Sequence, residues 1–523
     1  MTLFSRRRGL LVAAVAVAVS ACHPTATVPP TSPILRRVIP ARQVLADLAL
    51  FQRLKEAAHP GIYKYRSKAQ MDSTFADACA RVTSRMTVLD AYRLVVGITD
   101  FEGSLHNDTA LPDSVRKALE AEKSFFPYPL KLVAGQLVLN TGHAPLPLGA
   151  TISSIDGVPA RQLVRALGKY YTTDGLNTTG KAVGLAESFP EYFRLEYGPR
   201  AGFVVRYYAP GARAIRQQTL PAVTYAAYER AFADRHSRPC DRSFFEGMPA
   251  KYTFRLLPTQ AKAVLTLNTF DIGEDNSCGH RRYAQFLDSC FQLLRRSPAI
   301  THLLVDVRGN GGGDDDNDML AFSYLARAPF RENQRATMRF WQVPGRRYLT
   351  VARDTAERGG IVADIAEELR TDFTKGADGL PHENAHGNPW FQPKPARFRG
   401  QLYLLISPRV ASAGSMFAAM VRGNTSAVVI GEETMGGYYG HTGHGSLDYT
   451  LPNTGIQVSF FRVDLAQAVP VRASQPFGRG VLPDYEVSQS AADFLANRDT
   501  QLRFALQLIA AKQPKRVAVS NKR

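Results

Sequence analysis

The chain has 523 residues, with 64 Lys and Arg against 46 Asp and Glu, giving a formal net charge of +18 at pH 7. With 45% hydrophobic and 21% charged residues it is neither disordered nor fibrous, and its length allows more than one domain. The charge is scattered, without an arginine-rich helix or a nucleic-acid motif, so no nucleic acid is expected as a partner; anionic surfaces are.

The amino terminus runs from Arg6, Arg7 and Arg8 into an apolar segment, Leu10 to Val19, and ends in Val19-Ser20-Ala21-Cys22. A basic start, a short apolar run and small residues before a cut site describe a secretory signal over residues 1–21. The run is short for a membrane span. Cysteine directly after the small residues resembles the bacterial lipoprotein signal, which implies lipidation at Cys22. The protein is then expected in the cell envelope, anchored by lipid and facing the periplasm or exterior. An ordinary signal peptide with a chance cysteine is the alternative. Residues 22–42, rich in Pro and Thr, are read as a tether. Beyond Cys22 the cysteines are Cys79, Cys240, Cys278 and Cys290. Their spacing fits no zinc pattern and their pairing is open. No metal or cofactor is expected.

Residues 43–127 space their apolar positions at three and four, as in ARQVLADLALFQRLKEAAH, and predict a small helical domain. Residues 128–225 change to strand alternation. LPLGATISSIDGVPARQLVRALGKY places a glycine-preceded strand, an Asp156-Gly157 turn and a helix in the order of a PDZ-like domain. PDZ folds bind extended peptide ends along a sheet edge. Residues 226–512 alternate strands such as THLLVDVRGN and GQLYLLIS with helices such as RRYAQFLDSCFQLLRR, predicting an α/β layer with mostly parallel pairing. An antiparallel hairpin (SLDYTLPN, GIQVSFFRV) and a last amphipathic helix precede a basic tail, 513–523.

Two motifs carry chemistry. Asp306-Val307-Arg308-Gly309-Asn310-Gly311-Gly312-Gly313 follows a buried-type strand, where glycines allow a sharp turn that bares N–H groups. PRVASAGSMFAAM sets Ser412 among small residues just before a helix. A serine there caps the helix or acts as a nucleophile beside free N–H groups. With AVVIGEETMGG, GRGVLPDYEV and the final helix, these pieces resemble the tail-specific (C-terminal processing) and tricorn-core family of serine peptidases. The resemblance implies an α/β catalytic core of the ClpP/crotonase type with a PDZ-like β domain, and a polypeptide substrate. It makes Ser412 the nucleophile, the Ala413 amide and one near Gly312 the oxyanion donors, and Ser415 a packing or capping residue.

The chain departs from the tail-specific branch at its base. The general-base lysine of that branch stands 25 residues after the serine, where this chain has Gly437. The tricorn-like branch takes a histidine from the amino-terminal side, and FEGSLHNDTALP supplies His106. His441, in YYGHTGHG, competes for the role. The group that would orient the histidine stays open among Glu432, Glu433 and Ser104, with His441 as a further supporting residue. Two other classes remain: a peptidase-fold protein that binds peptides or apolar ligands without catalysis, and a crotonase-like acyl-transfer enzyme. The oligomeric state is left open.

Overall fold

The computed structural model describes residues 31–236, 250–257, 261–350 and 355–511. The expected signal segment, Cys22, Cys240 and the basic tail lie outside them. Among the described residues no helix is long and apolar enough to cross a membrane, and Cys79, Cys278 and Cys290 are free thiols.

The first layer is a six-stranded sheet. Its spatial order is Tyr485–Glu486, Val428–Gly431, Gln401–Ile406, His302–Asp306, Lys262–Leu267 and Tyr252–Leu257. All neighbours are parallel except the last pair. The inner strands read as near-continuous apolar runs because helices cover both faces; Leu303, Leu304, Leu404 and Leu405 are at most 1% exposed. One register decides where chemistry can occur. Asp306 stands opposite Leu405, so the glycine loop after one strand and the serine turn after its neighbour leave the sheet side by side. Motifs a hundred residues apart therefore meet at the carboxyl ends of parallel strands, where open α/β sheets place their ligands.

A second sheet of six strands carries the PDZ-like reading. It runs Leu130–Val133, Gln136–Leu139, Thr151–Ile155, Gly202–Tyr208, Ile215–Pro221, with the short strand Val158–Pro159 beside Thr151–Ile155. Helices Ala160–Leu167 and Lys181–Tyr197 pack into its core through Leu163, Leu167, Leu185 and Phe189. The longer helix is kinked, with non-helical backbone at Ser188 two residues before Pro190, as proline requires of the turn ahead of it.

The amino-terminal helices do not pack by themselves. Val44, Phe51 and Leu54 share one core with Met338, Tyr449, Phe460 and Val463 of a third sheet, built on the hairpin Thr442–Thr450 and Gln457–Gln467. The helical segment even lends that sheet a strand, Asp108–Ala110, paired with Gln457–Ser459. Within the span expected as a tether, 22–42, helix Pro33–Arg36 forms and Leu35 and Ile39 are buried in the same core; residues 22–30 lie outside the described residues.

Candidate active site

Ser412 follows strand Gln401–Ile406 and immediately precedes helix Ala413–Asn424. Its backbone lies at φ +50° and ψ −134°, a region a side chain enters only when its surroundings force it. It occupies the N-cap position, yet its side chain makes no capping hydrogen bond. Capping therefore does not account for it. Ser415 is the structural serine: fully buried, its hydroxyl donates to the Ser412 carbonyl at 2.8 Å.

The turn is held by the glycine loop. Asn310, completely buried, donates to Leu267 O at 3.2 Å and accepts from Gly312 N at 2.9 Å. Its carbonyl accepts from Ala411 N at 3.2 Å. Gly312 lies so close to Ser412 that an added Cβ would stand 2.6 Å from Ser412 Cβ. Phe417, buried on the serine helix, packs its ring 5.5 Å from Phe270. Phe270 in turn donates its amide to Gly312 O, so a burial worth roughly 1.5–3 kcal/mol also fixes the loop. Arg308 points the other way, bridging Asp306 and Asp499 through bonds of 2.7–2.9 Å. It fastens the loop to the last helix.

Of the two expected oxyanion donors, Ala413 N belongs to the first helical turn, whose N–H groups have no intrahelical partner and face the positive end of the helix dipole. Gly312 is placed as expected, but its N–H is engaged by Asn310 Oδ1. A donor from this loop has to come from Gly311 or Gly313, or from Gly312 once Asn310 lets go.

His106 sits in the loop after helix Val88–Glu102. Its ring stacks on Phe461 at 4.3 Å and lies 4.9 Å from the His441 ring. Burial pushes its pKa down to about 4, against a hydrogen bond to the Thr442 backbone that pulls it up. Burial and the nearby His106, Lys64 and His444 push His441 well below its ordinary value. Both rings are thus neutral at pH 7, and the Nδ1 atom of each is buried without a hydrogen-bond partner. Among the described residues no hydrogen bond joins Ser412 Oγ to either ring.

The candidates for the orienting group go elsewhere. Glu432 accepts from Ser488 and Gln501 near the last helix. Glu433 is saturated by Arg479, Gly480 N and Thr179. Ser104 shares a 2.9 Å bond with Thr442 Oγ1, which steadies the strand start beside His106 without touching its ring. What sequence reading missed is Glu102. Buried with Lys55 and 2.5 Å from His59 Nε2, it accepts from Asn107 Nδ2 at 2.7 Å and so clamps the far end of the His106 loop. His59 Nδ1 reaches Phe461 O at 3.0 Å. Gly437, where a lysine would stand, leaves no room for one: a Cβ there would meet Gly440 O at 2.8 Å.

A cavity of about 410 Å³ opens beside Ser412, bounded by the glycine loop, Ala411 and Met435. Tyr171, Val183 and the Glu187–Arg409 ion pair (2.6 Å) close its other side. Arg409 belongs to the serine motif, whereas Tyr171, Val183 and Glu187 come from the β-domain segment, where no motif pointed to the site.

Residues 262–487, which hold the glycine loop and Ser412, match the model of peptidase family S41. This segment is an S41 peptidase domain. The S41 domain makes the chain a serine peptidase, a hydrolase of polypeptides. His106 lies outside the matched residues, so the base candidate is brought to the S41 domain by the amino-terminal helices. No curated protein sequence matches the chain. Among solved structures, a CPAF mutant is similar at 15% identity and a TM-score of 0.56, covering 90% of this chain and 96% of that one. Mature CPAF complexed with lactacystin is similar at 14% and 0.55, covering 90% and 98%. At such identities the likeness establishes a shared fold, and it extends well past the S41 domain into the helical and β segments.

Proposed function

We propose that this serine peptidase cleaves extracytoplasmic polypeptides, with Ser412 as nucleophile and His106 as general base. One observation carries the reading: a serine held at positive φ, released from capping, beside a glycine-walled cavity and the first amides of a buried helix. Neutral His106 takes the Oγ proton as Oγ attacks the substrate carbonyl carbon. The oxyanion forms at the Ala413 amide and a glycine-loop amide. As the C–N bond breaks, the departing amine takes the proton from the imidazolium. Water then attacks the ester, passing its proton to the same histidine, and Ser412 is regenerated. The separation of ring and hydroxyl closes when substrate fills the cavity, since catalytic hydrogen bonds tighten in the complex. A lipid anchor at Cys22 is part of the proposal, resting on Val19-Ser20-Ala21-Cys22. Loss of membrane partitioning in Cys22→Ala tests it.

The test of catalysis is cleavage of fluorescently labelled casein by wild type, Ser412→Ala and His106→Ala. Loss in both variants supports the reading. Loss in Ser412→Ala alone moves the base to His441. A wild type inert on casein and varied peptides, yet binding them, favours the non-catalytic protein that Gly437 in place of lysine already suggests.

A further inference from the structure

Residues 172–177 lie between the 3₁₀ turn Gly168–Tyr170, whose Tyr170 packs against the amino-terminal core, and helix Lys181–Tyr197, which packs with the β-domain sheet. The loop is bonded on two sides. Toward the His106 loop, Thr172 Oγ1 donates to Leu105 O at 2.9 Å and Gly175 N to Gly103 O at 2.7 Å. Toward the S41 domain, Leu176 N donates to Gly478 O and Asn177 Nδ2 to Thr434 O, each at 2.7 Å. At its centre Asp174, 1% exposed, spends one oxygen on each side: Oδ1 accepts from Leu105 N and Oδ2 from Gly437 N, both at 2.9 Å. The 435–437 segment rests on the serine turn, with Met435 N and Gly436 N both bonded to Val410 O. Asp174 is therefore the side chain whose hydrogen bonds, among the described residues, tie the residue before His106 to the segment lying on the Ser412 turn.

We propose that Asp174 is a positioning residue that sets His106 against Ser412, and that the β domain governs the alignment by carrying this carboxylate. The inference rests on the Ser412–His106 reading above. It requires the carboxylate form, because two N–H donors need two accepting oxygens; a protonated or amide group turns a donor against one of them. Of the charged and titratable groups, Lys64 and Tyr65, which follow the amino-terminal helix turn, act on Asp174; His106 comes next in the chain after Leu105, and His441 four residues after Gly437. Burial raises the carboxyl to about 6, while the two amides and Lys64 pull it down. The two histidines are pushed below their ordinary value, so an acid limb near pH 6 that disappears in Asp174→Asn is assigned to Asp174.

The experiment is the rate of fluorophosphonate labelling of Ser412 between pH 4.5 and 9, with kcat and KM on labelled casein alongside. Wild type should slow as pH falls through about 6. Asp174→Asn should be at least tenfold slower at pH 8 in labelling and kcat, with KM within threefold and no limb near 6. A carboxyl raised in the fold adds stability that is full below its ordinary value and lost as pH rises through about 6; the amide removes that loss but leaves one buried N–H facing a donor, so thermal unfolding at pH 8 is followed to check that the variant folds. Thr172→Val, which deletes only an uncharged bond to Leu105, should lose a fewfold in rate and keep the limb. An Asp174→Asn variant with wild-type rates, or with the limb intact, overturns the proposal. Should it misfold, a wild-type or Thr172→Val profile without the limb overturns it. If His106→Ala keeps its activity, the base reading fails and this proposal with it; if His106→Ala is dead while Asp174→Asn matches wild type, only this proposal fails.

Discussion

Replacing Gly312 by alanine should uncouple folding from catalysis. The new Cβ would lie 2.6 Å from Ser412 Cβ and 3.2 Å from both Ser412 Oγ and Ala411 O. Unstrained carbon contacts sit at about 3.5–4.0 Å, so a gap of roughly 1 Å has to open between the loop and the serine. Gly312 also holds φ +112°, where a side chain costs about 1–2 kcal/mol, and overpacking adds about 1–3 kcal/mol. The sum, about 2–5 kcal/mol, leaves a chain this size folded. Catalysis is less forgiving, since a displacement of about 1 Å costs on the order of 10²-fold. The assay pairs chemical denaturation with Ser412 labelling and casein cleavage. Gly311→Ala is the control: an added Cβ there meets nothing within 4 Å, and both stability and labelling should stay near wild type. A Gly312→Ala enzyme with wild-type labelling would refute the claim that this loop sets the position of Ser412.

Two further predictions concern buried charge. Arg308→Ala leaves Asp306 and Asp499 without their shared guanidinium and should cost about 3–5 kcal/mol in urea unfolding; a loss below about 1 kcal/mol would mean that water replaces the bridge. Burial favours the neutral form of Glu102, but Lys55 and His59 outweigh it and hold the carboxyl at about 2. Its contribution to stability is therefore present above the ordinary carboxylate range and lost as pH falls through about 2. Glu102→Gln strands Lys55 in the core and should cost about 3–5 kcal/mol at pH 7, a gap that narrows below pH 4. A gap independent of pH would show that the charge of Glu102 is not what stabilises the fold.

The elements that could be read from the sequence are those whose residues answer to one neighbour at a fixed interval. THLLVDVRGN announces a strand because both its faces are covered, and PRVASAGSMFAAM announces a helix start because small residues and an apolar run are local signals. The pairing of Asp306 with Leu405 then follows from parallel topology, which is why Ser412 and the glycine loop were expected together and are found together. The second half of the site obeys no such interval. His106 is indicated by a resemblance, and its supports (Glu102 with Lys55, Asp174 between Leu105 and Gly437, Phe461 beneath the ring) join segments up to 355 residues apart. Glu102 looks like one more charge ending an amphipathic helix, and Asp174 like an ordinary turn residue before a glycine. Only burial separates them from such residues, and burial is decided by the fold as a whole. Glu432 and Glu433 mislead for the same reason: their closeness in sequence to a buried strand suggested a role beside the histidine, whereas the strand's end turns them toward Ser488 and Arg479. The Ser412 half is therefore encoded locally and the His106 half by domain packing. A site divided in this way can be switched by moving a domain while its catalytic residues stay unchanged.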